Sequence, residues 1–138
     1  MYSTKYSVSI HILSLIALKE EQPITSDYIA GSVNTNPALV RRLMSSLKKA
    51  ELIRTQTKLG VLGLKKPPEE ISLLQVFKAV EKEQRLFSIH SDSNPNCPVG
   101  ARIGSALEFV NDQIQSAFEK ELDSIYLSDI LKDMNIEK

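Results

Sequence analysis

Residues 93–104 read SNPNCPVGARIG and contain Cys97, the one cysteine of the 138-residue chain, set between Pro95 and Pro98. A thiolate can bind a metal, attack a substrate or be oxidised, and its neighbours decide which of these is open to it. An iron–sulfur cluster needs four ligands, usually thiolates, and Cys97 with His90 and Asp92 makes an irregular zinc set with no CxxC pair. No metal and no other cofactor is expected. Two distant histidines and the lack of any HExxH, GxSxG, P-loop or dinucleotide glycine pattern leave no nucleophile with its base, so no enzyme is expected. His90 reads as a plain loop residue, and His11, in an apolar segment, as a satisfied core histidine. For Cys97 two readings stay open. Beside a helix start its thiolate fraction rises, which makes it a candidate regulatory thiol open to oxidation or an inter-subunit disulfide. Otherwise it is a small apolar spacer.

The second chemistry in the chain is cationic. Basic and acidic side chains balance at 17 each, but not locally. Residues 37–66 carry Arg41, Arg42, Lys48, Lys49, Arg54, Lys58, Lys65 and Lys66 against Glu51 alone. Such a block inside a neutral chain points to a polyanion partner. A single cysteine fits a reducing cytosol. The most apolar run, Val8 to Leu18, is too short for the ~20 residues a bilayer-spanning helix needs, so a cytoplasmic protein without a membrane partner is expected.

The elements that must position these groups follow from periodicity and caps. A first helix is expected from Ser3 to Glu20, with an apolar face (Tyr6, Ile10, Leu13, Ala17, widened by Val8, Ile12 and Leu15) broad enough to be packed on more than one side. A short second helix spans Thr25 to Val33, and Asn34-Thr35-Asn36 forms a turn. Asn36 as N-cap and Pro37 at the first position open a third helix, expected to run to about Leu52. It turns Val40, Leu43, Met44 and Leu47 inward and Ala38, Arg41, Arg42, Ser45 and Lys49 outward. Runs at Leu52–Thr57 and Val61–Leu64, with Gly60 in the turn, read as a β-hairpin. Ser72 and Gln75 form a capping box for a fourth helix through Gln84. After a loop to Gly100, a long helix from about Ala101 to Asp123 carries Ile103, Leu107, Val110, Ile114 and Ala117 at alternating spacings of four and three, the seam of a helix packed lengthwise on another. Phe118 extends it. A last helix covers Leu127–Met134.

Two helices joined by a short turn, the second outwardly basic, followed by a hairpin with Lys58 at its tip, read as a winged helix-turn-helix. The fold expected is mainly α with a small β-hairpin: a DNA-binding head over 1–86, a loop over 87–100 holding the cysteine, and a dimerisation helix with a closing helix over 101–138. An α-helix fits the major groove of double-stranded DNA, where Arg41 and Arg42 can donate to guanine edges or phosphates. Thr35, Asn36 and the free amides at the helix start suit phosphate.

TKYSVSIHILSLIAL, ITSDYIAGSVNTNPALVRRLMSSLKKAELI and KKPPEEISLLQVFKAVE, in that order, resemble the Rrf2 family of bacterial winged-helix transcriptional regulators nearly end to end, and CPVG is similar to the YwnA-like branch. The resemblance implies a homodimer with a long helix crossing to the partner. It places Thr35, Asn36, Pro37, Ala38, Arg41 and Arg42 in the recognition region and Arg54 to Leu64 in the wing, with Lys5 and Tyr6 near the DNA. Cluster-bearing members hold three cysteines in the loop before the dimerisation helix, and this chain holds Cys97 alone. Its wing also departs from the family, with Gly60-Val61 for paired glycines and Leu62 where an aromatic is common. The expectation is thus a homodimeric repressor on a pseudo-palindromic operator, triggered by Cys97 oxidation or by a small-molecule or protein effector. The alternative is a winged-helix protein-interaction module with no role on DNA.

Overall fold

The computed structural model describes residues 3–19, 23–56 and 58–136. Glu20 and Thr57, where the expected first helix and first strand end, lie outside them. Helix α1 (Lys5–Leu18) is central: α2 (Ser26–Val33), α3 (Pro37–Lys49), α4 (Leu73–Val80), α6 (Leu127–Met134) and strand β2 (Gly60–Leu64) all touch it. Its buried side chains, Ser9, Ile12, Leu13, Ser14, Ile16 and Ala17, cover more than one face. Ile12, Leu13 and Ile16 meet Ile29, Val40, Leu47, Leu52, Ile71 and Val76 in one core, each such aliphatic contributing about 1.5–3 kcal/mol by leaving water. His11 corrects the core expectation: it is exposed, with Nε2 3.1 Å from the Ser32 hydroxyl.

The hydroxyls of Ser9 and Ser14 are buried without a hydrogen-bond partner among the described residues. A buried polar group so placed carries its desolvation penalty uncompensated, and serine is a weaker helix former than alanine. Ser9→Ala is therefore expected to raise stability by about 1 kcal/mol, read as a higher calorimetric Tm.

Local signals set the α2–α3 corner. Thr25 Oγ1 accepts from the Tyr28 amide at 3.1 Å, and Asn34, left-handed at φ 61°, ends α2. Asn36 Oδ1 accepts from the Leu39 amide at 3.1 Å, with Pro37 next. Helix α3 stops at Lys49, short of Leu52, because Glu51 turns left-handed at φ 62° and the Leu52 amide closes on the Leu47 carbonyl at 3.0 Å.

Strand β1 (Ile53–Gln56) pairs antiparallel with β2, from Ile53 opposite Leu64 to Gln56 opposite Gly60, with an irregularity between Arg54 and Thr55. Ile24, far away in sequence, bonds β2 on its other side: Ile24 N–H to Val61 O at 2.9 Å and Val61 N–H to Ile24 O at 2.8 Å. Gly60 stands at φ +96°, and a Cβ there would lie 2.5 Å from the Ile24 carbonyl oxygen. Gly60→Ala must strain the turn and push the wing from Ile24, at a cost of about 1–3 kcal/mol. A Tm drop of several degrees measures it, and an unchanged Tm would contradict this account of the wing.

Both halves of the capping box are formed: Gln75 N–H to Ser72 Oγ at 3.2 Å and Ser72 N–H to Gln75 Oε1 at 3.0 Å. Helix α4 ends at Val80, before the expected Gln84, as Glu81 becomes extended. Helix α5 (Pro98–Asp123) starts three residues before the expected Ala101, with Cys97 as N-cap and Pro98 at its first position. The Cys97 amide bonds the Asn94 carbonyl at 3.2 Å, and a Cβ at Gly100 would collide with that carbonyl; Pro98 initiates the helix rather than delaying it. After α5 the chain returns to the head. Leu73 N–H to Ile125 O and Leu127 N–H to Ile71 O, both 2.8 Å, fix the return, and Leu127 is fully buried in the core.

Candidate nucleic-acid interface

The face of α3 turned away from the core is built from small and cationic groups. Ala38, Arg41, Arg42, Ser45, Lys48 and Lys49 are exposed, as are Asn36 and Pro37 at its start, and Thr35 is half-buried in the turn. Among the described residues, ion pairs form between Lys65 and Glu51, Lys78 and Glu119, and Arg85 and Asp112. None takes up Arg41, Arg42, Lys48 or Lys49, so their donors remain available to a polyanion. The Asn36 cap and the first-turn amides add the positive end of the helix dipole.

Flanking elements extend the face. Lys5, at the start of α1, and Lys82, just past α4, join Arg42 and Ser46 around a depression of 410 Å³ beside α3, with Glu81 as its one acidic side chain. Lys82 lies outside the cationic block of the sequence and is reached only through packing. In the wing, Lys58 is exposed at the tip beside Leu59, while Arg54 is drawn back: its Nε donates to the Leu64 carbonyl at 3.4 Å and its guanidinium lies against Gly63. Arg54, Lys65 and Lys66 line a 340 Å³ notch at the wing base with Pro67 and Pro68. The sequence puts Lys65 and Lys66 in the basic block, and packing sets them at the wing base. Tyr6 differs from its companions. It is half-buried with its ring edge-on to Phe77 at 6.4 Å between centroids, and burial raises the pKa of its phenol. Its ring therefore supports the α1–α4 packing.

On α5, Ile103, Leu107, Val110 and Ile114 retain 38%, 40%, 45% and 41% of their surface. With exposed Ala117 they form an apolar stripe, and nothing covers it among the described residues. Phe118 is turned elsewhere. It packs edge-on to Phe77 at 5.4 Å within the same chain. Cys97 is exposed and free. Its thiol closes no cap hydrogen bond, yet the amides of Gly100 and, less, Val99 bring its pKa below the ordinary value.

Residues 2–133 match the model of the Rrf2 family, described as an iron-dependent transcriptional regulator. The chain is 45% identical over 131 residues to YwnA of Bacillus subtilis (strain 168), named among the HTH-type transcriptional regulators, with 95% of this chain and 97% of that protein covered. A crystal structure titled as a DNA-binding protein is 43% identical with a TM-score of 0.76, over 92% of this chain and 98% of the other. The oxidised form of Staphylococcus aureus CymR is 26% identical with a TM-score of 0.71, over 100% of both chains. The iron of the family description does not fit the donors here. Cys97 brings one thiolate per chain, and no three His, Cys, Asp or Glu among the described residues are grouped to hold a metal. Winged helix, free cationic face and sequence similarity agree: the chain belongs to the Rrf2 family of transcriptional regulators, which are not enzymes.

Proposed function

We propose that the protein is a cytoplasmic homodimeric repressor that places one α3 per subunit in successive major grooves of a pseudo-palindromic operator. The observation that carries this reading is the exposed set Arg41, Arg42, Ser45 and Lys49 on one face of α3, free of ion pairs among the described residues. Lys5 and Lys58 are assigned to flanking phosphates, as are the donors of Thr35 and Asn36, with Pro37 and Ala38 leaving the helix start open to close approach. Arg54 reaches the backbone from the wing base, and Tyr6 acts by holding α1 in place beside Lys5. The stripe Ile103, Leu107, Val110, Ile114 and Ala117 joins the subunits; Phe118 buttresses α5 from its own side. Half-sites should then lie about one helical turn, or a multiple, apart. Footprinting on the DNA upstream of the protein's own gene tests this: two protected half-sites at that spacing are expected, and one unpaired site contradicts the dimer.

Cys97 is assigned as the regulatory thiol. Exposure and a lowered pKa favour the thiolate, the reactive form, and the relative CymR has a structure titled as its oxidised form. A mild thiol oxidant is expected to weaken operator binding, and Cys97→Ser to abolish that response. Because the folded pKa is lowered, the thiolate fraction at pH 7 exceeds that of a free cysteine and falls as pH drops through the lowered value. The alkylation rate against pH follows it. An oxidant response that persists in Cys97→Ser removes the thiol from the mechanism.

A further inference from the structure

We propose that the cleft between α1, α4 and α5 is a binding site for a small organic cation with an apolar, aromatic-sized body. It measures 620 Å³, within the roughly 300–1,000 Å³ of small-molecule sites. Tyr6, Phe77 and Phe118 supply aromatic wall, and Leu86 and Leu122 the aliphatic remainder. The rings meet edge-on rather than stacked, and an aromatic face attracts a cation through its quadrupole.

The charges select the sign of the ligand. Glu81 and Glu83 line the cleft against one cation, Arg85, and the Arg85 guanidinium is already met by Asp112 at 2.7 Å. Glu83 accepts from the Arg85 amide at 3.2 Å, and Glu81 also borders the depression of Lys5, Arg42 and Lys82 but pairs with none of them among the described residues. Glu81 Oε1 is buried without a hydrogen-bond partner among the described residues. A carboxylate oxygen in that condition is uncompensated until a donor or a cation arrives. Aromatic surface with an unpaired carboxylate suits an ammonium or phosphonium group rather than an anion or a neutral ligand.

Position gives the cleft a consequence. Its rim at 84–86 is tied to α5 by Gln115, which accepts from the Leu86 amide at 2.9 Å and donates to the Gln84 carbonyl at 2.7 Å. Its floor is Phe77 of the head against Phe118 of α5. A ligand wedged there shifts the head relative to α5, and in a dimer joined through α5 that changes the spacing of the two recognition helices. This consequence rests on the regulator reading; binding in the cleft does not.

The test is calorimetry on the full-length reduced protein with two ions of one shape and opposite charge, tetraphenylphosphonium and tetraphenylborate. Phosphonium is expected to bind one per chain, Glu81→Gln to weaken it on the order of tenfold, and borate not to bind. Glu83→Gln serves as a second variant, with a smaller loss in the same direction, should circular dichroism show Glu81→Gln unfolded. Equal binding of the borate, phosphonium affinity that neither carboxylate change moves, or no binding of either ion overturns the proposal. If phosphonium binds as expected but the protein holds no duplex, the cleft stands and the regulator reading falls.

Discussion

The Arg41→Ala/Arg42→Ala double variant is expected to keep its fold and lose operator affinity by about two orders of magnitude or more. Both guanidiniums are exposed and neither forms an ion pair among the described residues, so removing them forfeits little native packing. Surface changes of that kind usually stay within about 0.5 kcal/mol. On DNA the balance is different. An arginine bidentate to guanine contributes about 1–3 kcal/mol of discrimination, and one on phosphate contributes less but releases a counterion. The single variants separate these roles. A base-reading arginine, once removed, relaxes preference at one position of the site. A phosphate-bound one weakens all duplexes alike and lowers the slope of log K against log salt by about 0.9. Anisotropy titrations with operator and scrambled duplexes distinguish the two, and full affinity in the double variant would remove α3 from the interface.

Leu107→Glu is expected to convert the protein to a monomer with an intact head. Leu107 sits mid-stripe between Ile103 and Val110, with Ile114 beyond, all left partly bare. Contiguous apolar surface of this kind on a helix at heptad-like spacing calls for a partner helix. A charge at the centre of that joint enters twice, once per subunit, and each carboxylate must shed its hydration without a counter-charge, at several kcal/mol. The head need not suffer, because the core around Leu13, Leu47, Ile71 and Leu127 is built without Leu107. Light scattering at micromolar concentration should give half the wild-type mass, and operator affinity should fall to that of one half-site. An unchanged mass would show that the subunits meet elsewhere.

What could be read in the sequence was what short spacings encode. Asn36-Pro37, the Ser72–Gln75 box and the outward face of α3 each rest on spacings of four positions or fewer and are present as read, whereas Gly60, expected in the turn, opens strand β2 opposite Gln56. Distant pairings left no such trace. Ile24 bonds Val61 as a single bridged residue, Leu127 enters the head's core from the end of the chain, and Gln115 clamps Leu86 and Gln84 from one helical position. The spacing that extends the stripe to Phe118 carried no sign of its edge-on contact with Phe77. Glu51 ends α3 in a left-handed conformation with no glycine to announce it. In the site, Arg41, Arg42, Ser45 and Lys49 were legible because they share one helix. Lys82 meets Arg42 only through the packing of α4 beside α3.

The most direct test of the central claim is fluorescence anisotropy of the full-length protein against its own upstream DNA and a scrambled duplex at several salt concentrations. The account predicts tight binding that prefers the upstream duplex and falls steeply as salt rises, since the free cations of α3 and the wing displace counterions. If neither duplex binds at low salt, the cationic face serves a partner other than DNA and the regulator reading is wrong.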